Sequence, residues 1–160
     1  MAVQATILPT NTSAPGTAFA GPVVSGDLAA GNATPNQGLS VNMQQVTLNQ
    51  NGATAVSVTA YLPKHSVLVD ILVDPITNWN SATSDVLTIG LTAGGTEYVT
   101  SVDVKTITAR TRPTFSQAQL AAMLDASGAV VATVTPTGAA SAGQTVVTYI
   151  YAQTANWQNP

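Results

Sequence analysis

The sequence predicts an all-β protein, an antiparallel β-sandwich or jelly roll with an extended N-terminal arm and at most one short helix. Short stretches rich in Val, Ile and Thr alternate apolar with polar residues, at a spacing typical of sandwiches. Glycine-containing pairs that favour tight turns separate several of these stretches. A chain of 160 residues suits one folded domain. We divide it into an arm, residues 1–40, and a β domain, residues 41–160.

The first two strands are predicted on either side of a turn signal. Residues 41–48 and 54–62 have strand-like patterns, and Asn51-Gly52 lies between them. Asn-Gly is among the strongest hairpin signals, because both residues tolerate the positive φ of a type I′ turn. We therefore expect these strands to pair as a hairpin.

The third strand, residues 66–74, reads SVLVDILVD. Side chains alternate between the two faces of a strand, so one face is predicted to be entirely β-branched and buried. Asp70 and Asp74 lie on the other face, about 13 Å apart at the usual rise per residue. That distance exceeds the roughly 5–9.5 Å between paired glycosidase carboxylates. We interpret both as solvated or interface charges, and Pro75 should end the strand.

The rest of the domain continues the pattern. Residues 85–92 and 96–102 flank Gly94-Gly95 and predict a second hairpin, and 104–110 are expected to continue as a strand. Residues 116–124 predict the helix, with Ser116 as its N-cap. Residues 129–135 and 144–152 supply the last strands. The residues expected to be largely buried are Val67, Val69, Ile71, Val73, Leu87, Ile89, Val131, Val147 and Ile150.

The arm differs in composition from the domain. Pro9, Pro15, Pro22 and Pro35 interrupt any helix or central strand, and glycines are frequent. Such a segment needs contacts with other surfaces to become ordered. We expect its anchors to be Ile7, Leu8, Phe19, Val23, Val24 and Leu28.

Charge is scarce and unevenly placed. Charged residues make up 7% of the chain, against about 25% in ordinary soluble proteins. Asp27 is the only charged side chain before Lys64, and none follows Asp125. Because no basic cluster is present, nucleic acid is not an expected partner. Nor is a membrane, since no apolar run approaches the ~18 residues of a spanning helix. The two charge-poor ends suggest contact with other proteins.

The residue inventory disfavours an enzyme. His65 is the only histidine, no nucleophile-elbow motif surrounds it, and the chain has no cysteine. One His without Cys also lacks the usual zinc ligands. Asp70, Asp74 and Asp85 leave a calcium site open if they converge, although no EF-hand spacing supports it. We therefore expect no catalytic residue, no cofactor and no bound metal.

Two arginines and two tryptophans are candidates for binding. Arg110 and Arg112 point the same way in an extended chain, where they form either an interface pair or a solvated pair at a strand end. Trp79 lies in a loop rich in Asn and Ser, and Trp157 lies in the uncharged tail. Such aromatic residues either stack on sugars or anchor a protein interface. The tail's lack of charge favours the interface for Trp157.

Two longer segments resemble virion proteins of tailed bacteriophages and prophages. They are LPKHSVLVDILVDPITNWNSATSDVLTIG and the C-terminal ATVTPTGAASAGQTVVTYIYA, and the resemblance covers roughly residues 62–152. The family includes jelly-roll capsid decoration (cement) proteins, often trimeric, and some fibre-like head proteins. The resemblance implies a structural role in the virion and identifies no catalytic residue. The arm lies outside it.

Together these observations lead to one hypothesis with one alternative. The hypothesis is a homotrimeric capsid decoration protein that binds the major capsid protein on the outside of a phage head and stabilises the shell. The alternative is a head fibre or adhesin module that binds surface glycans through Trp79 and Tyr98. The candidate interface residues are Ile7, Leu8, Phe19, Val23, Val24, Leu28, Arg110, Arg112 and Trp157.

Overall fold

The computed structural model describes residues 40–64 and 66–153, which form two antiparallel sheets packed around one core. The strands are β1 (Ser40–Asn49), β2 (Val56–Leu62), β3 (Ser66–Thr77), β4 (Asp85–Gly90), β5 (Val99–Asp103), β6 (Gly128–Pro136) and β7 (Gln144–Gln153). One helix, α1 (Gln117–Met123), lies between β5 and β6. The prediction of an all-β sandwich with one short helix is confirmed.

The sheets contain strands that are distant in sequence. One sheet has the order β1-β7-β3 and the other the order β2-β6-β4-β5. Their facing sides supply one core, in which Leu48, Ile71 and Tyr149 of the first sheet meet Leu87 and Val134 of the second. Burial of these large side chains provides the main driving force for joining the sheets.

The predicted first hairpin is wrong. β1 pairs with β7, and β2 pairs with β6, so the Asn51-Gly52 turn connects two different sheets. A turn does form, but one residue further along: Gly52 has a φ of 63°, and the Thr54 N–H donates to the Asn51 carbonyl, so Gly52 and Ala53 are its central residues. A two-residue signal fixes the local reversal of the chain, whereas the apolar faces of the strands decide which partners they take.

The second hairpin is confirmed, since β4 and β5 pair around the turn containing Gly94. The strand predicted over residues 104–110 is wrong. The chain turns after Asp103, whose carbonyl accepts hydrogen bonds from the N–H and the hydroxyl of Thr106. Thr111 then exchanges two backbone hydrogen bonds with Val73, at 2.9 and 2.8 Å. This short contact places residues 110–112 on the edge of β3.

The alternation predicted for β3 fails in its first half. Val69 is 50% exposed and Val67 half-buried, whereas Ser66 and Leu68 are buried. The reason is a β-bulge in β3. Leu68 and Asp70 pair with consecutive residues of β7, so Val69 between them has no partner in the ladder. A bulge inserts one unpaired residue and so reverses which residues face the core. The expectation that Pro75 ends the strand is also wrong, because β3 continues to Thr77 past a second irregularity.

The other burial predictions mostly hold. Ile71 and Val73 are buried after the bulge, and Leu87, Ile89, Val131 and Val147 are also buried. Ile150 is only half-buried, because it faces outward from β7 opposite Met43 and Asp70. The predicted N-cap is confirmed, since Ser116 and Gln119 form a reciprocal capping box at the start of α1.

Candidate interaction surface

The two predicted arginines lie beside the two carboxylates of β3. Arg110 makes two hydrogen bonds to Asp74, Nε to Oδ1 at 2.7 Å and Nη2 to Oδ2 at 3.1 Å. Arg112 Nε donates to Asp70 Oδ1 at 2.7 Å. Hydrogen bonding to Asp74, and then the negative charge of Asp74, raise the pKa of Arg110. The sequence suggested that the arginines share a face, but it did not pair them with these aspartates.

The backbone explains how the four charged residues meet. Thr111 is bridged to Val73, so Arg110 and Arg112 on either side of it point to the same face of the sheet. Asp70 and Asp74 lie on that face, because their partners on β7 are the outward-facing Ile150 and Val146. Both carboxylates are largely covered, at 17% exposed, while the arginines are more than half exposed.

The three aspartates that the sequence left open as a calcium site do not form one. Asp70 and Asp74 each bind an arginine, and Asp85 is buried elsewhere, where its Oδ2 accepts the N–H of Ser81. Within residues 40–64 and 66–153, no three His, Cys, Asp or Glu side chains converge on a point where they could hold a metal ion. The three aspartates therefore do not act together.

The aromatic residues proposed for sugar stacking belong to the core. Trp79 is 2% exposed, and its Nε1–H donates to Thr145 Oγ1 at 2.9 Å. Its ring covers Gly143, where a Cβ would come within 2.5 Å of it. Tyr98 is also 2% exposed, and burial raises its pKa above the usual range. Neither ring offers a free face to a sugar, so this part of the adhesin alternative is wrong.

The outer face of the β1-β7-β3 sheet carries apolar residues that the sequence analysis missed. Residues of β1, β7 and β3 lie side by side in rows across this face. One row consists of Met43, Ile150 and Asp70. The next consists of Gln45, Thr148 and Leu72. Val41 and Met43 are 62% and 70% exposed. We call this surface the outer face; it consists of Val41, Met43, Leu72, Val146 and Ile150 with the two Asp–Arg pairs.

A change of phase in the sequence of β1 could have revealed this face. In VNMQQVTL the apolar residues Val41 and Met43 are odd-numbered, whereas Val46 and Leu48 are even-numbered. The structure buries only the second pair, because β1 runs through the whole length without a bulge. An uninterrupted strand with such a shift must present apolar side chains on both faces.

A shallow groove of about 340 Å³ lies between the β4–β5 turn, β5 and α1. Its lining includes Glu97, Thr100 and Gln119. The Glu97 carboxylate accepts the N–H of Leu91, and the Gln119 amide donates to Thr100 Oγ1 at 2.8 Å. These groups hold the turn, the strand and the helix together.

Several predicted residues lie outside the described residues. They are His65, Trp157 and the six arm anchors Ile7, Leu8, Phe19, Val23, Val24 and Leu28. Their proposed interface roles remain predictions. Among the helices of the described part of the chain, none is long and apolar enough to cross a membrane.

Comparison with known proteins gives a fold and no family. No protein-family model matches the chain, and no curated protein matches it. Two solved structures do. A chain from the capsid of Ralstonia phage GP4 is 16% identical, with a TM-score of 0.54, over 78% of this chain and 91% of that chain. A chain from the cyanophage Pam1 capsid asymmetric unit is 17% identical, with a TM-score of 0.53, over 76% and 92%.

The chain shares its fold with chains from two phage capsids. The similarity spans nearly the full length of both neighbours, so it concerns a complete architecture. At these identities the comparison establishes the arrangement of strands, and function has to be argued separately.

Proposed function

We propose that the protein is a structural component of a phage head. The observation that carries this proposal is the likeness to two capsid chains, which covers 91% and 92% of their lengths. The sequence resemblance to virion proteins over residues 62–152 is independent of that comparison and agrees with it. The distribution of charge is consistent with the same role, since both ends of the chain are suited to contact with other proteins.

Within that role, we propose a decoration protein on the outside of the shell, bound to the major capsid protein. The β domain forms an exposed knob, and the arm, residues 1–40, extends across neighbouring capsid subunits. Its anchors are apolar, and burying one large side chain contributes about 1.5–3 kcal/mol. Ordering the backbone costs about 1–2 kcal/mol per residue, so attachment needs many contacts, which the copies in one oligomer supply together.

We propose a homotrimer as the unit that binds. A closed ring gives each copy the same pair of complementary surfaces and leaves no open end. The outer face suits such a contact, because it combines exposed Val41 and Met43 with two neutralised charge pairs. The mechanism is mechanical: contacts added across the shell raise the force needed to separate its subunits.

The test is the position of the protein in virions of the phage that encodes it. Electron cryomicroscopy combined with quantitative mass spectrometry should find the chain on the capsid surface, in a fixed ratio to the major capsid protein. Purified full-length chain should also rebind capsids from which it has been removed, while a chain lacking residues 2–39 should not.

Three results would reject the proposal. One is absence of the chain from purified virions, and another is density confined to a fibre or to the tail. The third is binding of the truncated chain to capsids as tight as that of the full chain, which would reject the role of the arm.

A further inference from the structure

The connection between β1 and β2 contains the most reactive asparagine sequence of this chain. An asparagine side chain can be attacked by the backbone nitrogen of the next residue, and glycine offers the least hindered nitrogen because it has no Cβ. Asn51-Gly52 is the only Asn-Gly pair in the sequence. Asn51 is exposed, so solvent water reaches its side chain.

The reaction at such a pair is a deamidation. The Gly52 nitrogen attacks Cγ of Asn51, so a C–N bond forms and closes a cyclic imide while the bond from Cγ to the side-chain nitrogen breaks. The Gly52 nitrogen gives its proton to solvent, and the side-chain nitrogen takes a proton and leaves as ammonia. Water then opens the imide at either carbonyl and leaves aspartate or isoaspartate.

The side chain of Asn51 is free to take part in this reaction. Asn51 is held through its backbone carbonyl, which accepts the Thr54 N–H at 3.1 Å. Its side-chain amide makes no hydrogen bond with the rest of the described chain. The amide can therefore turn toward the neighbouring backbone nitrogen without breaking a bond, as attack requires.

Asn80 shows the opposite arrangement and provides an internal comparison. It also precedes a small residue, Ser81, but its Oδ1 accepts the N–H groups of Ser141 and Ala142 at 2.8 and 3.0 Å. Its Nδ2 donates to Ser141 Oγ at 3.0 Å. The Ser81 N–H donates to Asp85 Oδ2 at 3.2 Å. Both reacting groups are fixed, so Asn80 is expected to react slowly in the folded protein.

At Asn51 the structure restrains the attacking nitrogen instead of the side chain. The Gly52 N–H donates to Gln50 Oε1 at 2.8 Å. Gln50 Nε2 in turn donates to the Ser141 carbonyl at 3.2 Å, which fixes the Gln50 side chain in this position. The Gly52 nitrogen has to lose its proton when it attacks, and a hydrogen bond from the N–H stabilises the protonated form. Gln50 therefore slows the reaction.

We propose that Asn51 is a deamidation site of this protein and that Gln50 sets the rate at which it reacts. The inference goes beyond the proposed function and does not depend on it. Each event adds one negative charge to residues 1–63, where Asp27 is the only charged side chain. The isoaspartate product also lengthens the backbone of the turn that joins the two sheets. The corner between β1 and β2 therefore changes as the protein ages.

Incubation of the full-length chain in mildly alkaline buffer, with and without urea, tests the site. Peptide mapping by mass spectrometry follows the conversion of amide to carboxylate at each asparagine. In the folded chain we expect Asn51 to react faster than Asn80, and we expect Asn51 to react faster still when urea removes the Gln50 contact. Absence of reaction at Asn51, or a rate in the folded chain no higher than that of Asn80, overturns the site. Equal rates at Asn51 with and without urea overturn the role of Gln50.

Two variants of Gln50 separate its hold on the nitrogen from a general effect on the turn. Gln50→Ala removes the acceptor, so the rate at Asn51 should rise about two- to tenfold, while the rate at Asn80 stays unchanged. Gln50→Glu keeps an oxygen that accepts the Gly52 N–H but gives up the donor to the Ser141 carbonyl, and it should react no faster than the native chain. An unchanged rate in Gln50→Ala, or an equal acceleration in Gln50→Glu, overturns the role of Gln50.

Discussion

Trp79 shows how a single residue can be misjudged from its neighbours in sequence. It lies between the exposed Asn78 and Asn80, yet its ring is packed on Gly143 and its Nε1–H is hydrogen-bonded to Thr145. The loop between β3 and β4 folds over the end of the core, so a polar loop carries one of its largest buried side chains.

We predict that Trp79→Ala lowers the free energy of unfolding by about 3–5 kcal/mol, since it leaves a cavity and removes the partner of the Thr145 hydroxyl. Urea titration followed by circular dichroism measures the loss. Tyr61→Ala, at a position 72% exposed, is the control and should change stability by no more than about 0.5 kcal/mol. Equal effects of the two substitutions would contradict the burial of Trp79.

Tyr149 is the second residue whose position has a measurable consequence. Its side chain is fully buried, and its hydroxyl has no hydrogen-bond partner among the described residues. Burial raises the pKa of this phenol above its ordinary value of 10.0. The folded state therefore favours the neutral form of the phenol. This preference stabilises the folded protein fully below pH 10, and the stabilisation decreases as the pH rises above that value.

We predict that Tyr149→Phe is neutral or slightly stabilising at pH 7, because it removes a buried polar group that makes no bond. It should also reduce the loss of stability between pH 9 and pH 11. Unfolding by urea at several pH values tests both statements, with Tyr61→Phe as the exposed control. A steeper alkaline loss in Tyr149→Phe than in the native protein would refute the assignment.

The bulge in β3 is the most informative feature at the scale of elements. At the bulge the Asp70 Oδ1 accepts the N–H of Ile71 at 2.9 Å, and the same oxygen accepts Arg112 Nε. This aspartate satisfies a backbone group at the irregular step and joins it to the segment bridged at Thr111. One side chain therefore contacts both the bulge and the segment that pairs with the edge of β3.

We predict that Asp70→Ala lowers the free energy of unfolding by about 1–2 kcal/mol, as expected for a partly buried N–H that loses its acceptor. Asp70→Asn should lose less, because its amide oxygen can still accept the Ile71 N–H. Asp74→Ala should also lose less, since it removes only an ion pair with an exposed arginine, and such pairs contribute little. Thermal and urea unfolding of the three variants checks this order, and a larger loss in Asp74→Ala would disprove it.

At the scale of the whole molecule, the described residues bury a core of their own. The buried apolar residues around which the two sheets pack come from the strands, α1 and their connections, between Val46 and Tyr149. β1 is paired with β7 from Ser40 onward.

We predict that a chain lacking residues 2–39 folds cooperatively, with a free energy of unfolding within about 1 kcal/mol of the full chain under conditions where both are monomeric, because the two sheets and α1 bury a core of their own. Calorimetry and the proton NMR spectrum of the truncated chain provide the measurement. A truncated chain that is unfolded would show that the arm is part of the domain.

The sequence by itself determined those features that depend on near neighbours. Alternation of apolar residues located the strands, Ser116 as N-cap located the start of α1, and Gly94-Gly95 located the turn between β4 and β5. These signals are local, because side-chain direction and turn geometry are set within a few residues. The scarcity of charge likewise pointed to contact with other proteins before any fold was known.

Only the tertiary structure decided which strands are neighbours and which side of each faces the core. β1 leaves its sequence neighbour for β7, one extra residue in β3 turns Val69 outward, and Thr111 brings two arginines to Asp70 and Asp74. The physical reason is that pairing and burial are settled by the two sheets jointly. A strand takes the partner that lets both apolar faces close on one core, and that choice is not encoded within the strand.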